Sequence, residues 1–139
     1  MSRSLLLIST SAVHGTPYLE HAFGPLKDFL GPARRVLFIP FALQDHSGYA
    51  AKARAAFASI GYGLDSLHEA SSPRDAVEGA EAVFTGGGNT FRLLAALYRA
   101  DLMAVLRRRV GEGMRYAGAS AGSNLACPKI GRASCRERV

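Results

Sequence analysis

Residues 82–94 read AVFTGGGNTFRLL, and this stretch decides the fold. A short apolar run at its start predicts a buried β-strand, and three glycines, Gly86 to Gly88, follow at once. Helical spacing of apolar residues resumes at about Thr90. A strand, a glycine-rich turn and a helix in direct succession are typical of one unit of a parallel α/β sheet.

The same alternation extends along the rest of the chain. Strands are predicted at residues 5–8, 36–39, 63–67, 82–84 and 115–119. Helices are predicted at residues 18–30, 47–60 with Ser47 as the N-cap, 72–79, 90–99 and 101–110. Continuously apolar strands are buried on both faces. The sequence therefore predicts an α/β fold, a three-layer, mostly parallel sheet with helices on both faces and ligands bound at the carboxyl ends of the strands.

Bulk composition indicates one globular domain. The chain has 139 residues, of which 48% are hydrophobic, and no apolar run is long enough to span a membrane. We therefore expect a cytoplasmic protein in which Cys127 and Cys135 form no disulfide. The three arginines at 107–109 fall on a predicted helix without any nucleic-acid motif, so we interpret them as a solvated face and expect no nucleic-acid partner.

The last residues form a segment that does not fit the pattern. Residues 130–139 read IGRASCRERV, show neither helical nor strand periodicity, and resemble the translation of a common short-read sequencing adapter. Residues 129–139 carry Lys129 and three arginines against one glutamate. The net charge of this segment is therefore half of the formal net charge of +6 of the whole chain. We therefore predict that residues 1–128 belong to the domain and residues 129–139 do not.

A candidate nucleophile lies at the end of the last predicted strand. Gly118-Ala119-Ser120-Ala121-Gly122 matches G-x-S-x-G, the nucleophile elbow. Small neighbours let a sharp strand-to-helix turn close and expose the hydroxyl, while the next N–H group can stabilise an oxyanion. The motif also occurs in ordinary small-residue turns, so the elbow and a purely structural turn both remain open on the motif alone.

The triple glycine Gly86-Gly87-Gly88, with Asn89 and Thr90 behind it, has three interpretations. Converging backbone N–H groups at a helix start suit an oxyanion hole, a phosphate cradle or a tight turn. No Lys-Ser/Thr pair follows, which disfavours a P-loop phosphate site. A partner motif on another strand favours the oxyanion hole, since acyl transfer needs two N–H donors from separate segments.

The two glycine-rich motifs carry a family resemblance. GGGNTFRLL at 86–94 and GASAGSNLACP at 118–128 resemble the paired signatures of the peptidase E family of serine peptidases, S51. The resemblance implies a class I glutamine amidotransferase-like fold and hydrolysis of dipeptides that begin with aspartate. It implies Ser120 as nucleophile and the N–H groups of Gly88 and Ala121 as the oxyanion hole. Support comes from Gly86, Gly87, Asn89, Gly118 and Gly122.

The resemblance also implies that the machinery is incomplete. In the family, the histidine base and its acidic partner follow the elbow, so we expect them beyond Pro128 and expect the fragment to be inactive alone. Among the histidines present, His14 and His46 are candidates for the rim of the site, whereas His21 and His68 are interpreted as structural. Ala119 departs from the family, which often has a bulky aromatic residue before the serine. The substrate's aspartate also needs a cation, for which Arg92 is a candidate.

Two other functions fit the same residues. One is a cyanophycinase-like hydrolase of the same superfamily, acting on polymers that contain aspartate. The other is a non-catalytic, amidotransferase-like binding module. No metal-ligand spacing or cofactor fingerprint is present in the sequence, so we expect neither a metal nor a cofactor, and a small peptide as the partner.

Overall fold

Five parallel strands form one sheet in the computed structural model, which describes residues 4–8 and 23–119. The strands are β1 (Ser4–Ile8), β2 (Arg35–Ile39), β3 (Gly63–Ser66), β4 (Ala82–Thr85) and β5 (Arg115–Ala119). Their order across the sheet is β1-β5-β4-β2-β3, and every neighbouring pair is parallel. Because all carboxyl ends then lie at one edge, the sheet brings the segments that follow the strands together there.

Helices cover both faces of the sheet. On one face lie α1 (Phe23–Leu30) and α2 (His46–Ala58), and on the other lie α3 (Pro73–Glu78), α4 (Thr90–Arg99) and α5 (Met103–Gly111). Each face has its own hydrophobic core, built from alternate residues of the strands. The predicted α/β class and three-layer arrangement are confirmed.

Aromatic packing dominates the core beneath α2. Phe84 is fully buried, stacks on Phe38 at 5.9 Å between ring centroids and meets Phe57 edge-on at 5.2 Å. Burying one such side chain contributes about 1.5–3 kcal/mol. This cluster holds the central strands β2 and β4 against α2, and it thereby fixes the loops that leave their carboxyl ends.

The start of α2 differs from the prediction. Asp45 caps the helix, not Ser47, because its carboxylate accepts the Gly48 N–H at 3.0 Å. Ser47 lies in the first turn, where its hydroxyl is 3.4 Å from Nε2 of His68. The prediction of Ser47 was wrong because aspartate and serine are about equally good N-caps, and only the hydrogen bond to the residue three positions on identifies the cap.

The start of α5 also differs. Asp101 does not begin the helix, because its φ of 58° is left-handed and the helix starts at Met103. Its N–H donates to the carbonyl of Tyr98, which closes the end of α4. Elsewhere the boundaries agree: α3 begins with Ser72 as N-cap and Pro73 in its first turn, and α1 ends at Leu30. Residues 18–22 of the predicted first helix lie outside the described residues.

The arginine cluster on α5 has intramolecular partners. Arg108 pairs with Glu78 of α3 and with Glu112, and Arg109 pairs with Glu112 at 3.0 Å. The ion pair with Arg108 lowers the pKa of Glu78. These contacts tie α5 to α3. None of the helices described is long and apolar enough to cross a membrane.

Candidate active site

The register of β4 and β5 sets the geometry of the site. Thr85 at the end of β4 lies opposite Gly118 in β5, so both strands reach the same edge of the sheet together. Gly86 follows Thr85 directly, and Ala119 is the last residue of β5. The two glycine-rich motifs therefore begin on neighbouring strands and at the same level. Ser120, Ala121 and Gly122 lie outside the described residues.

Three hydrogen bonds hold the triple-glycine segment in place. The Gly86 N–H donates to the carbonyl of Ile39 at 3.1 Å, and the Asn89 N–H donates to that of Ala42 at 2.9 Å. Between them, the hydroxyl of Tyr49 donates to the carbonyl of Gly87 at 3.1 Å. The end of β2 and the loop after it therefore hold the two ends of the segment, and α2 holds its middle.

Two of the glycines cannot be replaced without displacing a neighbour. A Cβ on Gly86 would lie 2.4 Å from the hydroxyl oxygen of Tyr49, and one on Gly88 would lie 2.6 Å from the carbonyl oxygen of Ala42. Gly88 also has a φ of 142°, which side chains rarely tolerate. The close approach of the chain at both positions explains why glycine is needed there.

The N–H group of Gly88, unlike those of Gly86 and Asn89, has no acceptor in the described part of the chain, residues 4–8 and 23–119. Gly88 itself is exposed. Asn89 follows as the N-cap of α4, its side-chain oxygen accepting the Arg92 N–H at 3.0 Å. A backbone N–H group beside a helix N-terminus suits a developing negative charge. An oxyanion donor therefore stays the prediction for this segment.

Tyr49 is a support that sequence reasoning missed. A tyrosine 38 positions before Gly87 gives no signal in the sequence of a contact with the triple glycine. We expect Tyr49→Phe to lower the free energy of unfolding by about 1 kcal/mol, because the bond to Gly87 is lost while the ring still packs on Phe38. Chemical denaturation measures the change. Tyr98→Phe, at an exposed tyrosine, should lower the free energy of unfolding by at most a few tenths of the change expected for Tyr49→Phe. Equal effects of the two substitutions would contradict the supporting role of the Tyr49 hydroxyl.

The two described histidines lie on the β2 and β3 side of the edge. His46 is the first residue of α2, not a loop residue, and its ring is 5.7 Å from that of His68. His68 has hydrogen-bond contacts to the hydroxyls of Ser66 and Ser47, so its structural interpretation agrees with these contacts. His68 follows β3, which β2 and β4 separate from β5, whereas His46 follows β2, which only β4 separates from β5. His14 and His21 lie outside the described residues, as does the tail at 129–139.

The strand that leads to the elbow is entirely buried at its end. Tyr116, Ala117 and Ala119 are each 0% exposed. Ala119 packs in the core beneath α1 and α2, so its side chain points into that core and not into the edge. Burial raises the pKa of the Tyr116 phenol, so this group stays protonated at neutral pH.

Metal ligation has no described cluster to support it. Within residues 4–8 and 23–119, no three side chains of His, Cys, Asp or Glu come together to hold an ion. Near the end of β4 the structure brings together the backbone of the triple glycine, the side chain of Asn89, His46 and Arg92.

Comparisons of the sequence with a family profile and with curated proteins point to the same family. The sequence profile of Peptidase family S51 matches residues 5–139. Peptidase E of Streptomyces coelicolor is 46% identical over 127 residues, covering 91% of this chain and 52% of that protein. The Drosophila melanogaster protein named "Probable alpha-aspartyl dipeptidase" is 44% identical over 132 residues, covering 93% and 55%. The chain spans about half the length of the curated relatives it matches.

Solved structures agree on the fold. A protein from Listeria monocytogenes assigned as a peptidase E superposes with a TM-score of 0.73 at 22% identity, covering 94% of this chain and 64% of that one. A peptidase from an acI-B1 actinobacterium gives 0.69 at 18% identity, covering 88% and 56%. With the profile match over nearly all of the sequence, these findings identify the chain as a member of peptidase family S51.

Proposed function

We propose that the full-length protein is a serine-type dipeptidase that hydrolyses dipeptides with N-terminal aspartate. The observation that carries the proposal is the register of β4 and β5, which starts both glycine-rich motifs at one level of one edge. The names of the relatives, peptidase E and α-aspartyl dipeptidase, support the substrate class. Family membership supports peptide hydrolysis itself.

Ser120 is the nucleophile in this proposal. In the sequence it directly follows Ala119, the last residue of β5. Its Oγ attacks the carbonyl carbon of the aspartyl residue, and its proton passes to a histidine base. The N–H groups of Gly88 and Ala121 hold the oxyanion of the tetrahedral intermediate. The leaving amine takes the proton from the histidine.

Water completes the reaction. It attacks the acyl-enzyme, gives up a proton through the same base, and releases aspartate while Ser120 recovers its hydroxyl. The base and its acidic partner belong, in this proposal, to sequence that follows Pro128 in the natural protein. Residues 129–139 then stand outside the fold, and the 139-residue chain holds the nucleophile and donors without a base.

Covalent labelling tests the role of Ser120. We expect a fluorophosphonate to modify the full-length protein at Ser120, because only an activated serine attacks such a reagent readily. Peptide mass spectrometry locates the adduct. Ser123, three residues further along the same segment, is the matched control and should carry no adduct. An adduct on another residue, or no adduct on a folded protein, would contradict the role of Ser120 as the nucleophile.

A further inference from the structure

A groove with two arginines adjoins the candidate oxyanion segment. It has a volume of about 570 Å³ and lies between the loop after β2 and the outer face of α4. Its lining includes Phe41, His46, Asn89, Phe91, Arg92 and Arg99. Asn89 directly follows Gly88, so the groove opens next to the N–H group proposed to hold the oxyanion.

The charge of this groove is unbalanced. Arg92 and Arg99 form no ion pair within the part of the chain that the structure describes, and no carboxylate lines the groove. Arg35, in contrast, forms a 2.8 Å ion pair with Asp65. Two unpaired guanidinium groups in one concavity favour an anionic ligand, because each offers a planar fork of donors to a carboxylate.

The spacing of the two arginines points to more than one acidic group. They are seven residues apart on one helix, which is two turns or roughly 10 Å along the axis. A small residue, Ala96, stands between them and leaves the floor of the groove open. Phe91, 84% exposed, forms an apolar wall. A short side chain with an acid at its end, next to a free α-carboxylate, fits such a surface.

Charge also decides which half of the substrate fits. The N-terminal aspartate carries an α-ammonium group close to its carboxylate, and a groove with two arginines and no carboxylate repels that ammonium. The departing residue of a dipeptide has no ammonium group at its backbone, because its amine is part of the peptide bond. It carries a negative charge at its α-carboxylate and, where its side chain is acidic, a second negative charge there. The groove therefore suits the departing residue.

We propose that this groove is the subsite for the departing residue, in which Arg92 binds its α-carboxylate and Arg99 binds an acidic side chain. The proposal rests on the proposed function, and it makes Asp-Glu a better substrate than Asp-Gln. Arg92 takes the α-carboxylate because it lies in the first turn of α4, four residues after Gly88, whereas Arg99 lies in the last turn.

Kinetics of full-length variants test the two roles separately. We expect Asp-Glu to exceed Asp-Gln about three- to tenfold in kcat/KM, mainly through KM, as for a partly exposed ion pair. Arg99→Gln should remove this preference. Arg92→Gln should instead remove the advantage of Asp-Gln over Asp-Gln amide. Arg107→Gln, an exposed arginine on α5 away from the groove, should leave both ratios unchanged.

Two outcomes overturn the subsite. The first is that the parent enzyme has the same kcat/KM for Asp-Glu and for Asp-Gln. The second is that the preference for Asp-Glu survives in both Arg92→Gln and Arg99→Gln, or that it falls equally in Arg107→Gln. Calorimetry on the Ser120→Ala variant separates this failure from that of the proposed function. Tighter binding of Asp-Glu than of Asp-Gln there supports the groove even if Ser120 is not the nucleophile. Turnover that depends on Ser120 without any charge preference rejects the groove alone.

Discussion

Replacing Ser120 with alanine will reduce hydrolysis of an Asp-initiated dipeptide by the full-length protein on the order of 10⁴-fold or more. The reason is that the proposed mechanism passes through an acyl-enzyme on the Oγ of this residue, and the oxyanion donors cannot replace it. The measurement is kcat/KM for Asp-Leu, with Leu-Leu as the substrate that lacks the acid. Ser123→Ala is the control, and we expect it to keep activity within a few-fold.

The 139-residue chain provides a second comparison for the same experiment. We expect it to show no measurable turnover, because a serine without a base stays protonated and is a weak nucleophile. The full-length gene is obtained by sequencing the locus through codon 128. Coding sequence that continues with a histidine and an acid agrees with the proposal. Genomic DNA that encodes IGRASCRERV followed by a stop would refute the prediction for the tail. Robust turnover by the 139-residue chain would mean that it contains a base, and it would make His14 or His46 the residue to replace next.

The architecture was predictable because it depends on patterns that are local in sequence. The central strands β2 and β4 contain continuous apolar runs, as in β2, where Val36, Phe38 and Ile39 are fully buried. Alternation with helices then implied a parallel sheet. Helix starts were less predictable, since Asp45 and Ser47 are similar caps and only the fold shows which of them reaches an N–H. The left-handed turn at Asp101 has no sequence signal comparable to a glycine.

The supports of the site were not predictable, because they depend on contacts between distant parts of the chain. The triple glycine was recognised from its sequence, whereas its clamp by Tyr49 and by the carbonyl of Ala42 was not. Arg99 was missed for a similar reason. Its place in the groove follows from the helical repeat that puts it on the face of Arg92, together with a loop after β2 that closes the opposite wall.

A methyl group at Gly88 is the second change for which we expect a large effect. Gly88→Ala should lower kcat about 10²- to 10³-fold, the usual cost of losing one oxyanion donor. It should also lower the free energy of unfolding by about 1–3 kcal/mol, because a φ of 142° is strained for alanine. Steady-state kinetics and chemical denaturation of the full-length protein measure the two effects.

The neighbour that the methyl group would meet explains why the loss should reach the catalytic step. The new Cβ would lie 2.6 Å from the carbonyl oxygen of Ala42, which is main chain and accepts the N–H of Asn89 at 2.9 Å. Moving that carbonyl releases the end of the segment and turns the Gly88 N–H away from the edge. Gly61→Ala isolates strain from this contact, since Gly61 has a φ of 93° but no heavy atom lies within 4 Å of the place its methyl group would occupy. It should therefore lose stability and keep kcat. If Gly88→Ala and Gly61→Ala lower kcat to the same extent, Gly88 supplies only a turn and the oxyanion donor must be sought elsewhere along the edge.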